Sequence, residues 1–292
     1  KLMDNGGSCW QISFEPQAEY SEPMNNFMEE FFDVTVCNYT DDGLEQLVGY
    51  KDRHFKEDEL RQTAAERGLD LPPFKCELLT SDNWLKDNVI RFAPAEVGEF
   101  MIYGIHETTT PATDKLPLRI YAATAFGSEH QTTKSCLLAL SELYRRKVPH
   151  QNILDMGCGS GILSLGAAKL WPDANITAVD IDEEAVIVTL QNARDNLLDS
   201  QIHAAVSDGY ASALVRKRAP YDIIMANILA RPLIEMAPDL YQTLKPGGYC
   251  ILSGFVNDQE DWVVDAHRQQ GLQLCKIYEM DNWRAALMEK RS

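Results

Sequence analysis

Asn152-Ile153-Leu154-Asp155-Met156-Gly157-Cys158-Gly159-Ser160-Gly161-Ile162-Leu163-Ser164-Leu165 is the stretch on which the fold turns. An apolar run closes on an acid, three glycines follow at alternate positions, and apolar residues then resume at helical spacing. That order predicts a strand, a sharp loop and a helix over 162–170. Glycine lets a backbone turn tightly and approach a ligand closely. The alternation continues downstream, with strands expected at 176–180, 202–207, 222–227 and 249–254 and helices at 183–197, 229–244 and 259–270. A turn is expected at Lys245-Pro246-Gly247-Gly248, and segments 272–279 and 284–289 are spaced for a terminal hairpin. Strand-then-helix repetition of this kind makes a mostly parallel sheet covered by helices, an α/β fold.

Upstream the pattern differs. Residues 9–14, 33–38 and 74–80 read as strands, 23–32 has helical apolar spacing, and 56–67 is a charged helix stopped by Gly68, together a small α+β layer. Residues 92–104 read as a connecting strand or hairpin before the loop Thr108-Thr109-Thr110-Pro111-Ala112-Thr113. The expected division is 1–95 for the small domain, 96–121 for a linker or hairpin, and 122–292 for the α/β domain.

The 292 residues carry 27 Lys+Arg, 44 Asp+Glu and 45% hydrophobic residues, which excludes disorder, collagen and coiled coil. No apolar run reaches the roughly 20 residues of a membrane-spanning helix, and the first residues lack the apolar core of a signal peptide. The expected location is the cytoplasm, with no membrane partner. Seven scattered cysteines without a C-x-x-C pair read as reduced thiols, with no metal site. A net charge of −17 opposes direct nucleic-acid binding and suits a basic protein partner. Residues 1–121 hold most of the excess, 11 basic against 23 acidic.

The loop has an acid partner. Asp180 ends the second expected strand 25 residues after Asp155, where a carboxylate can accept hydrogen bonds from both hydroxyls of an adenosine ribose. Ile162 stands where a dinucleotide loop wants a small residue, which disfavours nicotinamide. Asp155 at the loop entrance would repel a pyrophosphate and suit the ammonium group of S-adenosylmethionine. The cofactor expected at Asp155, Gly157, Gly159 and Asp180 is therefore S-adenosylmethionine; the alternative is that the glycines only pack a helix on a strand. Asp208, after the third strand, can accept from the adenine amine or simply form an Asp-Gly turn. Asn227, in Asn227-Ile228-Leu229-Ala230 after the fourth strand, sits at the ligand-binding edge of such sheets or caps the next helix.

These segments, with Ala178-Val179-Asp180-Ile181-Asp182, Lys245-Pro246-Gly247-Gly248 and Ala125-Phe126-Gly127-Ser128-Glu129-His130-Gln131-Thr132-Thr133, resemble the bacterial PrmA family, methyltransferases of large-subunit ribosomal protein eleven. The glycine loop is shared by all class I methyltransferases; the Asn-Ile-Leu-Ala and Phe-Gly…His…Thr-Thr elements are more specific. The resemblance implies a Rossmann-like, mostly parallel seven-stranded sheet with a terminal antiparallel hairpin strand, preceded by a ferredoxin-like substrate-recognition domain. It implies that Thr133, Gly157, Asp180 and Asn227 contact S-adenosylmethionine and that Phe126 and His130 lie in the segment covering it. Phe126 to His130 is one residue shorter than the usual pattern and lacks its second glycine. Thr132 or Thr133 can also cap the following helix, and His130 can be a structural histidine.

Methyl transfer to an amine needs the neutral amine, whereas a lysine with a reference pKa of about 10.4 is protonated at neutral pH. A nearby sulfonium and partial desolvation lower that pKa. The Asn227 side-chain carbonyl and the Ile228 backbone carbonyl can then accept the amine's hydrogens and aim its lone pair, which makes these two the expected catalytic residues. Two alternatives stand beside methylation of ribosomal protein eleven: a protein-lysine methyltransferase acting on another protein, and a cofactor-binding module without catalysis.

Overall fold

Period-two alternation in Ser8–Phe14 (β1) turns Ile12 and Phe14 into the first core. In Glu22–Phe31 (α1), Met24, Phe27, Met28 and Phe31 recur at helical spacing on one buried stripe, and Ser21 Oγ caps the start by accepting from Met24 N at 3.3 Å. Val34–Tyr39 (β2), Glu45–Asp52 (β3), Glu57–Glu66 (α2) and Phe74–Thr80 (β4) follow. The sheet runs β2-β3-β1-β4, antiparallel throughout, which with its βαββαβ chain order is a ferredoxin-like arrangement. Sequence patterning overlooks β3, because Gly49 and the polar Glu45, Gln46 and Lys51 spoil its alternation. Gly49 is there for Phe32: a β-carbon on it would lie 2.4 Å from the ring.

The computed structural model describes residues 8–40, 42–52, 54–80, 92–121 and 131–292, and the chain divides into units Lys1–Asn88 and Val89–Ser292. In the second unit Ala95–Val97 (β5), Phe100–Gly104 (β6) and Leu116–Ile120 (β7) form a small sheet, the first pair antiparallel and the second parallel. Phe100, Ile102, Leu118 and Ile120 share one core with Leu137 and Leu140 of Gln131–Arg146 (α3). Residues 96–121, set apart by the sequence as a linker or hairpin, therefore contribute to the core of the second unit.

The larger sheet comprises Asn152–Met156 (β8), Asn175–Asp180 (β9), Ile202–Val206 (β10), Tyr221–Asn227 (β11), Leu244–Val256 (β12), Gln273–Met280 (β13) and Trp283–Glu289 (β14). Its order is β10-β9-β8-β11-β12-β14-β13, and β14 runs antiparallel to both neighbours while β8 to β12 are parallel. The chain steps one way from β8 to β9 and the other way to β11, so the crevice beyond β8 and β11 is a topological switch point. Ile162–Leu170 (α4) and Glu183–Asp195 (α5) connect the first strands.

Two sequence expectations change. The helix expected over 229–244 is two helices, Ala230–Glu235 and Ala237–Thr243, divided at Met236. The turn expected at 245–248 belongs to β12: Gly247 N donates to Lys290 O at 2.6 Å and Lys290 N to Gly248 O at 2.9 Å. A cross-strand partner more than forty residues away leaves no local signature.

Candidate active site

The loop from β8 to α4 opens with Gly157 and Cys158, whose backbone N–H groups both donate to Val179 O at 2.8 and 2.9 Å, tying it to β9. Gly157 has φ +74°, and a β-carbon there would lie 2.3 Å from Ile228 Cγ2. Gly159, at φ +53°, faces open space, with nothing within 4 Å of where its β-carbon would be. One glycine thus admits a neighbouring side chain and the other presents bare backbone.

Asp180 ends β9, and its carboxylate is held from both sides: Oδ2 accepts from Gly159 N and Oδ1 from Asp182 N, each at 3.0 Å. Each carboxylate oxygen retains acceptor capacity, and the side chain is only partly buried, so the fixed anion can receive a diol. Ser207 N donates to Asp180 O at 2.9 Å, which sets the end of β10 beside it. Asp208 next in line is exposed; its carbonyl accepts from Ala211 N at 3.1 Å to start a short 3-10 turn, while its carboxylate caps nothing. Backbone turn and free side chain coexist there.

Asp155 is the larger surprise. The sequence placed it at the loop entrance, yet it is 1% exposed, beneath the start of α4. Its Oδ2 accepts from Ser164 Oγ at 2.6 Å and from Ser164 N at 3.1 Å. Oδ1 is buried without a hydrogen-bond partner. Burial pushes its pKa up to about 6 against the two Ser164 bonds, and nearby Asp180 adds to the rise. An orphaned carboxylate oxygen beneath the glycine loop fits an ammonium donor, so the residues present suit an amino-acid-bearing nucleoside.

Asn227 ends β11. Its Nδ2 donates to Thr133 Oγ1 at 3.4 Å, bringing together two expected cofactor residues 94 positions apart, with Thr133 buried in the first turn of α3. Asn227 does not cap the following helix, whose N-cap position is Leu229, with no side-chain bond. Ile228 N donates to Ser253 O at 3.0 Å, and Gly254 presses so close that a β-carbon on it would stand 1.9 Å from Ile228 O. Among the described residues, neither Asn227 Oδ1 nor Ile228 O receives a hydrogen bond. Phe126 and His130 lie outside the described residues.

Sequence reading missed three residues. Ser164 holds Asp155, Thr189 Oγ1 donates to Gly159 O at 3.0 Å, and Asn192 Nδ2 donates to Ser160 O at 2.7 Å. The available signal was polar residues on the apolar face of an amphipathic helix, since a buried Thr or Asn must find partners.

A sheet of this order, with its glycine loop at the switch point and an acid ending the next strand, defines a class I S-adenosylmethionine-dependent methyltransferase. The chain belongs to the ribosomal protein L11 methyltransferase (PrmA) family, whose model matches residues 8–291. It is 35% identical over 232 residues to the ribosomal protein L11 methyltransferase of Brucella suis, covering 78% of this chain and 81% of that protein. The Bradyrhizobium diazoefficiens enzyme of the same name is 34% identical over 215 residues, 73% of this chain and 72% of that protein. Among solved structures, a ribosomal protein L11 methylase from Lactobacillus delbrueckii subsp. bulgaricus aligns with TM-score 0.56 and 26% identity, covering 66% of this chain and 95% of that one.

Proposed function

We propose that the chain transfers methyl groups from S-adenosylmethionine to amino groups of ribosomal protein L11, on lysine side chains or the N-terminal amine. The observation that carries the catalytic assignment is at the end of β11: Asn227 Oδ1 and Ile228 O, two acceptors that receive no hydrogen bond among the described residues, stand beside the glycine loop without capping a helix. Family membership supports the substrate.

When bound, S-adenosylmethionine supplies an electrophilic methyl group on a sulfonium. Asp180 would hold the ribose hydroxyls, Asp155 Oδ1 would receive the amino group, Gly159 would offer bare backbone while Gly157 admits Ile228 beside it, and Asp208 would accept from the adenine amine. Thr133 steadies the Asn227 amide. The substrate ammonium first loses one proton to water; Asn227 Oδ1 and Ile228 O then accept the two remaining hydrogens of the neutral amine and direct its lone pair. The residues needed are positioners and acceptors, so no strong base is required.

The ferredoxin-like unit recruits the substrate. Residues 1–88 carry 8 basic and 19 acidic side chains, a surface suited to a basic ribosomal protein. No described helix is long and apolar enough to cross a membrane; a ribosomal substrate supports a cytoplasmic location. Incubation with radiolabelled S-adenosylmethionine and unmethylated ribosomal proteins, followed by mass spectrometry, is the test. Label on L11 amines supports the reading, label on another protein reassigns the substrate, and cofactor binding without label leaves a binding module.

A further inference from the structure

Helix α5 buries an unusual polar stripe: Thr189, Asn192 and, at its C-cap, Asn196 are 1%, 0% and 8% exposed. Asparagine is a poor helix former, so a buried pair needs a structural reason. The partner is the free edge of β7, an outer strand of its three-stranded sheet. Asn196 Oδ1 accepts from Arg119 N at 3.0 Å and its Nδ2 donates to Arg119 O at 2.7 Å. Asn192 does the same for Tyr121, accepting from its N at 2.8 Å and donating to its O at 3.0 Å. Four helical residues rise about 6 Å and two strand residues about 6.6 Å, so two asparagines one turn apart match alternate strand residues. The side-chain amides replace a missing neighbouring strand and satisfy an edge that would otherwise be open.

The two asparagines differ in one bond. Asn196 spends its second amide hydrogen on Asn192 O at 2.8 Å, within its own helix. Asn192 spends its second on Ser160 O at 2.7 Å, in the glycine loop. We infer that Asn192 is a positioning residue for the cofactor site, locking the Gly159-Ser160 backbone to the edge of β7 so that the loop keeps its binding shape before any ligand arrives. Thr189 holds the preceding carbonyl from one helical turn earlier. A loop ordered in advance spares the ligand that ordering cost. The inference rests on reading this loop as the S-adenosylmethionine site.

The matched pair supplies the experiment, on the full chain, with calorimetric titration of S-adenosylmethionine and urea denaturation of each variant. Asn192→Ala and Asn196→Ala each strip the β7 edge of two bonds, and both should lower the denaturation midpoint. Only Asn192→Ala should raise Kd, by about tenfold or more, against less than about twofold for Asn196→Ala. KM for the cofactor should follow Kd, with KM for L11 unchanged. Thr189→Val keeps the side-chain shape, removes the hydroxyl that reaches Gly159 O and Cys158 Sγ in the same loop, and should raise Kd severalfold; it decides the matter if Asn192→Ala does not fold. Equal Kd shifts for the two asparagine variants, or unchanged Kd in folded Asn192→Ala, would overturn the inference, as would unchanged Kd in Thr189→Val standing in for it. A wild-type chain that binds no S-adenosylmethionine would instead overturn the cofactor reading beneath it.

Discussion

Asp155 should make cofactor binding pH-dependent in a window about two pH units above that of an ordinary surface carboxylate. Burial raises its pKa from 3.8 to about 6 in the free protein, with Oδ1 left unpartnered. Between about pH 4 and 6 the folded chain holds a proton that the unfolded chain has released, so this residue's contribution to stability falls as pH rises through that window and is flat above it. A shift of that size corresponds to about 3 kcal/mol. Ammonium at Oδ1 selects the ionised form and recovers part of that cost. If only the carboxylate binds, the apparent association constant follows the ionised fraction: about one-tenth of its plateau at pH 5, half at pH 6, and near the plateau at pH 7. The ligand's own α-amino group, with a pKa of about 7.7–8.0, sets the upper limit. Calorimetry at pH 5, 6 and 7 in buffers of different ionisation enthalpy should therefore show binding tightening about tenfold, with close to one proton released per ligand at pH 5. Asp155→Asn should abolish that slope and bind more weakly at pH 7. A flat affinity without proton release, or a folded Asp155→Asn variant with wild-type affinity and slope, would refute the ammonium assignment.

Asp180→Asn removes the charge while keeping one acceptor. It should weaken S-adenosylmethionine binding by about tenfold or more, because hydrogen bonds to a charged acceptor are worth about 1.5–3 kcal/mol each; equilibrium titration of the folded variant checks it. Asn227→Ala should lower the single-turnover methylation rate at saturating cofactor by about 10²-fold or more. Because Asn227 caps no helix, its urea midpoint should hardly move, and a stability loss with a wild-type rate would remove it from catalysis. Residues 89–292 expressed alone should bind the cofactor like the full chain yet methylate L11 poorly; a full rate from the folded fragment would end the recruiting role of the acidic unit.

Much of the large sheet was legible because each parallel strand is a short apolar run followed by a helix, a local signal. The glycine loop and Asp180 were legible for the same reason: both mark strand ends. What local pattern could not give was depth. Asp155 reads as an entrance charge until Ser164, a turn into the next helix, is seen to cover it. β3 escaped because Gly49 answers to Phe32 rather than to a strand propensity. Asn192 reads as an ordinary polar helix residue, since both of its partners, Tyr121 and Ser160, lie at least thirty positions away in the chain. The side-chain contact between Thr133 and Asn227 is likewise tertiary, and only the resemblance grouped them beforehand.

The placement of β14 has a consequence for the order of biosynthesis. Although β14 follows β13 in the chain, it lies between β12 and β13, with Leu287 and Met288 fully buried. On a translating ribosome the ferredoxin-like unit has all four of its strands, residues 8–80, long before this happens, and it can complete its sheet early. The second unit cannot. Until residues 283–289 emerge, β12 presents an open apolar edge and β13 has no neighbour on which to pair. The larger unit of the nascent chain, which carries the glycine loop, is thus the last to close, and until then the edge of β12 stays open to unwanted strand pairing.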